Sequence, residues 1–353
     1  MLAIGVLAGC AQGSPDTTAV PSASPAEPVV LAEPVATLDV ACADVLSDQA
    51  ASDLLQSPVS LKVNSADIRS VRDVARLQAG MLTCVWGGED KTDNSWNQSI
   101  VLSVLPDAAA DYDAGVEQVD DGAIVYTVGD LSEYLCSYVD ANMSQCAANL
   151  LIDGYWAQVS STSVGTIEGR TQATADQSME SLLDTLAGAI TGSSAAPAWS
   201  AAPGAVSGGF CSDPGSTAVV QTAFASSAYA LRDNALVPPL PAADVAQNRA
   251  GMVSCSWADG AGNYVSAAVV PGGSWSMASL KAAPPQVSYD APELSVAAVA
   301  GADGALIGCG GSGYCVGILS VGGSLLSLNA PDIGVDAFTA AASATAAAVV
   351  SAG

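Results

Sequence analysis

Histidine is absent from this 353-residue chain. Its absence removes the commonest general base and metal ligand, so neither a Ser-His-Asp triad nor a Cys-His pair can form within one chain. Gly-x-Ser-x-Gly and Ser-x-x-Lys are missing too, which leaves a serine hydrolase no recognisable arrangement. Positive charge is scarce: 9 Lys and Arg stand against 35 Asp and Glu, a formal net charge of −26. Without a basic stripe, such a chain repels phosphate backbones, which argues against nucleic-acid binding. Anionic membrane surfaces are disfavoured as direct partners for the same reason. Aromatic residues make up only 5% of the chain, so each is informative. Past the N-terminal segment there is no run of 18 or more apolar residues to span a bilayer. Half the residues are nevertheless apolar, a globular composition, and the length suggests two domains.

The N-terminus carries an address. Met1 to Gly9 are almost wholly apolar and end in Leu7-Ala8-Gly9-Cys10, after which Gly, Ser, Pro, Thr and Ala take over. This segment resembles a bacterial lipoprotein signal. The resemblance implies cleavage before Cys10, a diacylglycerol on its thiol, and a chain held on the extracytoplasmic face of the cell membrane. Such signals open with a basic residue and a longer apolar run. Residues 1–9 are therefore read as a signal peptide cut short by a start site placed too late. Residues 10–38, broken by Pro15, Pro21, Pro25, Pro28 and Pro34, read as an extended tether.

The remainder is a tandem duplication. Ala79-Gly80-Met81-Leu82-Thr83-Cys84-Val85-Trp86 recurs as Ala250-Gly251-Met252-Val253-Ser254-Cys255-Ser256-Trp257. Cys42, Cys84, Cys136 and Cys146 correspond to Cys211, Cys255, Cys309 and Cys315, which sets repeat 1 at 42–190, a linker at 191–209 and repeat 2 at 211–353. An even set of cysteines per domain in an exported protein reads as disulfides. Between the third and fourth cysteines the spacing shrinks from 10 to 6 while both flanks stay aligned, as for a loop shortened inside a closed hairpin. The expected pairs are Cys136 with Cys146 and Cys309 with Cys315, leaving Cys42 with Cys84 and Cys211 with Cys255.

Within each copy the shared motif reads as a strand, since Leu82, Cys84 and Trp86 fall on one face at a period of two. Ser47 predicts a helix to Leu55, and Ser216 or Thr217 predicts its counterpart around Val219 to Arg232. Asp153-Gly154 between apolar runs predicts a hairpin. Met179, Leu182, Leu183, Leu186 and Ile190 make the stripe of a closing helix, which Val335 to Val350 repeats in alanine-rich form. The expected fold class is α+β: two copies of one small domain, each an antiparallel sheet with helices packed on one face. The lipobox, the tether and the Cys-x-Trp strand together resemble cell-envelope lipoproteins of high-GC Gram-positive bacteria. That resemblance supports a location and implies no activity.

Few groups remain to carry chemistry. Gly308-Cys309-Gly310-Gly311-Ser312-Gly313 matches a dinucleotide fingerprint, but cysteines bracket the glycines and a strand-like run follows, so it reads as a closed turn. Acidic residues gather at Glu89, Asp90 and Asp93, and again at Asp107, Asp111, Asp113, Glu117, Asp120 and Asp121. They read as a solvated face. A Ca²⁺-stabilised surface domain and an Asp/Glu hydrolase of wall glycan are the alternatives. The net charge is −16 over 42–190 and −6 over 211–353. Trp96, Tyr155 and Trp156 are the candidate ligand-binding residues, because binding energy concentrates in aromatic anchors and repeat 2 has Ser324-Leu325 where repeat 1 has Tyr155-Trp156. No cofactor, no metal ligand and no catalytic residue is assigned. The expected function is a non-enzymatic, lipid-anchored module that binds an envelope protein, a cell-wall ligand or a small molecule, with repeat 1 discriminating.

Overall fold

Capped helices and alternating strands begin soon after the Pro-rich segment ends. The computed structural model describes residues 33–64, 66–88, 98–116, 123–140, 143–164, 171–191, 193, 199–200, 205–206, 209–232, 240–282, 284, 292–310 and 313–352. Cys10, the tether to residue 32 and Trp96 lie outside them. The described residues begin inside the expected tether, at Glu33. Thr37 donates its amide to the Gly80 carbonyl at 2.8 Å, and Leu38 is buried in the first core.

Repeat 1 opens with α1 (Cys42–Val45) and α2 (Asp48–Leu55), where the Ser47 hydroxyl caps α2 by accepting from the Ala50 amide at 3.2 Å. Then come β1 (Ser60–Val63), α3 (Val71–Gln78), β2 (Leu82–Gly87), β3 (Gln98–Leu105) and α4 (Ala109–Val116). They are followed by β4 (Ile124–Tyr126), β5 (Leu131–Asp140), β6 (Met143–Ile152), β7 (Tyr155–Val164) and α5 (Gln172–Ile190). Asp153 and Gly154 turn β6 into β7 with φ of 50° and 79°. Two positive values in succession are what a tight hairpin turn needs.

Repeat 2 follows the same plan with α6 (Gly209–Ser212), α7 (Ser216–Ala223), β8 (Ala230–Leu231), α8 (Ala242–Arg249), β9 (Val253–Ala258) and β10 (Tyr264–Val270). A 3-10 turn (Gly273–Ser276) leads into α9 (Met277–Ala282), then β11 (Ser295–Ala297), β12 (Gly304–Gly310), β13 (Tyr314–Val321), β14 (Ser324–Pro331) and α10 (Val335–Ala352). The helix expected to reach Arg232 ends at Ala223, because the chain turns there to form β8.

Both sheets are antiparallel and seven-stranded, in the orders β1-β2-β3-β7-β6-β5-β4 and β8-β9-β10-β14-β13-β12-β11. Strand for strand they match, as a duplication requires. Cys42–Cys84 and Cys211–Cys255 tie the first helix of each repeat to its Cys-x-Trp strand. Cys136–Cys146 and Cys309–Cys315 join directly opposed residues of neighbouring strands. The long bridges close loops of 42 and 44 residues. Loop entropy alone makes each worth about 4 kcal/mol.

Helices cover both faces of each sheet, not one. On the inner face of the first sheet, Cys84, Trp86, Leu102, Leu150 and Val159 pack against α1, α2 and α5. On the second, Cys255, Trp257, Val265 and Leu328 pack against Phe210, Val220 and Phe338 of α6, α7 and α10. Helix α10 alone among the described residues is long and apolar enough to cross a bilayer, yet its Phe338, Ala341, Ala342, Ala346 and Val349 are core residues.

The opposite faces are covered by exchange. Val71, Val74 and Ala75 of α3 pack on the second sheet with Val270, Met277, Leu280, Ile318 and Leu325. Ala242, Val245 and Ala246 of α8 pack reciprocally on the first sheet with Met81, Leu105, Tyr112, Leu151 and Trp156. The two helices hold equivalent positions, each just before its Cys-x-Trp strand, and they touch. Residues 33–353 accordingly form one compact unit.

Candidate functional site

The exchanged helices meet differently furnished sheets. Under α8, the first sheet presents large side chains. Trp156 is 1% exposed and stands edge-on to Tyr112, with ring centroids 5.8 Å apart. Its indole Nε1 donates to Asn149 Oδ1 at 3.0 Å, and Asn149 Nδ2 donates to the Glu133 carboxylate at 3.4 Å. Burial pushes the Glu133 carboxyl above the usual range, and the Asn149 hydrogen bond partly offsets it. Gln158 Oε1 accepts from the Ala242 amide at 3.2 Å. Residue 241 is a proline with no capping side chain, so repeat 1 supplies a cap to the helix of repeat 2. Arg249, at the other end of α8, donates to the carbonyls of Pro106 and Asp107 and pairs with the Asp111 carboxylate. This face is full.

The sheet registers identify the matching positions in repeat 2. Leu105 opposes Trp156 as Val270 opposes Leu325, and Ser103 opposes Gln158 as Ala268 opposes Ser327. Asn149 opposes Gln158 as Ile318 opposes Ser327. Trp, Gln and Asn are thus replaced by Leu, Ser and Ile. Beneath the first turns of α3 lies a hollow of about 730 Å³, lined by Ser327 and Ile318 but not by Leu325, so of the three replacements the shortening of Gln to Ser is the one that opens it. Its floor is Ser254 and Ser256 of β9, Ser266 and Ala268 of β10, Ser327 and Asn329 of β14, with Val316 and Ile318 of β13 at the base. The four serines and Asn329 are half-exposed or exposed, so solvent reaches the floor. Asn329 Nδ2 donates to Ser266 Oγ at 3.4 Å. The wall comes from the other repeat: Ser70, Val71, Arg72 and Arg76.

Local sequence places that wall. The Ser70 hydroxyl accepts from the Asp73 amide at 3.3 Å, while Asp73 accepts from the Arg69 amide and the Ser70 hydroxyl, so the helix start is capped from both directions. Val71, Val74 and Ala75 turn to the second sheet, and Arg72 and Arg76, four apart, stand together over the hollow. Arg76 leans on Asp73 at 3.4 Å, and its buried Nε has no partner among the described residues. Arg72 has no ion-pair partner among them.

Two further depressions among the described residues are smaller. A crevice under α2 and α5 holds about 40 Å³, room for a few waters, and the groove between the same helices is an open trough of about 400 Å³.

Tyr155 and Trp156 do not form an exposed aromatic surface. Tyr155 is 9% exposed and belongs to the first core, which pushes its phenol above the usual range, with Asp107 adding to the shift. Trp156 fills the face that α8 covers, for which a planar apolar ring with one donor is well suited. Trp96, Glu89, Asp90, Asp93, Glu117, Asp120 and Asp121 lie outside the described residues, and Asp111 is engaged by Arg249. Among the described residues, one group of metal-ligand type comes together, Cys309, Cys315 and Asp332, and its sulfurs are bonded to each other. Arg72 and Arg76 were not foreseen as site residues. Their signal in the sequence is Ser70 followed three positions on by Asp73, then the apolar spacing Val71, Val74 and Ala75.

Comparison with known proteins finds no matching family model, no similar curated protein and no similar solved structure.

Proposed function

We propose that this protein is a lipid-anchored, extracytoplasmic binding protein that holds a small polar ligand in the hollow between α3 and the second sheet. The hollow itself carries the reading: about 730 Å³ is ligand-sized, and hydroxyl, amide and guanidinium groups converge on it. Among the described residues, its lining contains no carboxylate. The one lining cysteine, Cys255, is in a disulfide. These are groups that hold a ligand in place. The resemblance of Leu7 to Cys10 to a lipobox supports the anchor, and the Pro-rich segment supports a spacer between membrane and folded unit. Discrimination then belongs to a surface shared by both repeats, not to repeat 1 alone.

Two variants of the full chain test this reading. Cys10→Ser removes the acylation site and is expected to release the protein from the membrane fraction, since one or two acyl chains anchor far better than any surface contact of so acidic a chain. In that soluble form, wall-derived sugars, amino acids and short peptides that raise the melting temperature should lose their effect in Ser327→Gln, which restores the residue type of the filled repeat. Retention of Cys10→Ser in the membrane sinks the anchor. Equal thermal shifts with and without Ser327→Gln sink the hollow.

A further inference from the structure

The chemistry of the hollow narrows what it would take, on the reading that the hollow is a binding site. Of nine Lys and Arg in the chain, Arg72 and Arg76 stand four residues apart on one helix, over the same space. Like charges at this spacing work against the helix that carries them. The matching positions of α8, counted from the shared motif, are Ala243 and Gln247. The helix that covers the filled face therefore carries no such pair. Where the space is full there is no cation to spare, and where it is empty there are two. Asp73 engages one nitrogen of Arg76 at 3.4 Å, which leaves a net positive charge at the mouth.

The floor adds a second requirement. Ser254, Ser266 and Ser327 lie on three adjacent strands, and Asn329 stands directly opposite Ser266. Each hydroxyl donates and accepts, which suits a ligand bearing several hydroxyls of its own. Val316 and Ile318 offer the apolar base on which the carbon face of such a ligand would rest.

We infer that the hollow binds an anionic sugar derivative, its carboxylate or phosphate held by Arg72 and Arg76 and its hydroxyls by the serine floor. A guanidinium fork is the side chain best matched to either anion. The net charge of −26 slows the approach of an anion, but beyond about 8 Å at physiological salt it is screened, so the local pair governs affinity.

The test uses the full-length Cys10→Ser protein, titrated calorimetrically with glucuronate, glucose 6-phosphate and glucose. The anions are expected to bind at least tenfold more tightly than glucose, and more weakly as salt rises. Arg72→Ala/Arg76→Gln, which installs the residues of α8, is expected to remove at least tenfold of anion affinity and to cost glucose much less. A preference for glucuronate over glucose 6-phosphate, or the reverse, identifies which anion the fork was built for. Failure of both anions to bind below 10 mM (about, by the millimolar scale of weak ligands), or binding unaffected by the double arginine variant, overturns the inference. If glucose binds as tightly as the anions and Ser327→Gln abolishes it, the hollow stands as a binding site and only its preference for anions falls. Circular dichroism of each variant checks that the fold is retained.

Discussion

Tyr134 shows how single side chains are fixed in this acidic protein. Its hydroxyl donates to Glu180 of α5 at 2.8 Å, and neighbouring Tyr126 donates to Asp184 one turn further along at 3.2 Å. Burial comes first and the carboxylates second in pushing the Tyr134 phenol well above its ordinary value, with Asp176 contributing. A phenol whose folded value is raised supports stability below its unfolded value near 10, and that support is lost as the pH rises through and beyond it. The urea midpoint is therefore expected to fall as the pH rises above about 10. Tyr134→Phe should flatten that fall, because Phe has no proton to hold. An unchanged slope in the variant would show that Tyr134 is not coupled to folding. Trp156 teaches the complementary lesson. It is an aromatic residue with a polar handle, conspicuous in a sequence poor in rings, and it serves packing because Asn149 satisfies its one donor inside the structure.

Among the elements, α3 and α8 matter most. Each is eight residues long, marginal alone, and stabilised by the sheet it covers. Helix α3 comes close to Gly273, where an added Cβ would lie 3.3 Å from Val74 Cγ1 and 2.9 Å from Leu325 Cβ of β14. The matching position in repeat 1, two residues after Pro106 as Gly273 is after Pro271, is Ala108, buried under α8. Gly273→Ala should destabilise by about 1–3 kcal/mol, the cost of overpacking a filled contact. In differential scanning calorimetry that corresponds to a drop of several degrees. Combined with Val74→Ala, the loss should be somewhat smaller than the sum of the single losses, since Val74 Cγ1 at 3.3 Å is one of the atoms the new methyl meets while Leu325 Cβ and Val270 Cγ1 remain. Additive losses would mean that α3 does not bear on Gly273.

At the scale of the molecule, exchange makes the two repeats interdependent. Cut apart between them, repeat 1 would expose Leu105 and Trp156 under the lost α8, and repeat 2 would expose Val270 and Leu325 under the lost α3. Contiguous apolar patches of that kind drive association. Separately produced repeats are expected to bind a hydrophobic dye and to sediment as oligomers. Mixing them should restore a one-to-one complex with native near-ultraviolet circular dichroism. Two stable monomers that ignore each other would refute the exchange. The same arrangement moves the hollow to a shared boundary, floored by one repeat and walled by the other.

Much of this was written along the chain. The Cys-x-Trp strands, the Asp153-Gly154 turn, the Ser47 cap and the stripe of α5 are local patterns, read within a dozen residues because backbone sterics and side-chain periodicity act over that range. The duplication and the cysteine spacing extend that reading to the pairing of sulfurs far apart in sequence, since two copies of one fold must close the same loops. What the sequence left undetermined was the second face of each sheet. Val71, Val74 and Ala75 declare an apolar stripe, but nothing in their spacing says whose sheet it meets. Nor could Ser327 or Ile318 declare a hollow, because empty space is a difference between what a helix spans and what the strands beneath it fill. Volume of that kind exists only once both repeats are folded against each other. Tertiary packing alone therefore decided that Trp156 closes one face and that Arg72 and Arg76 overhang the other.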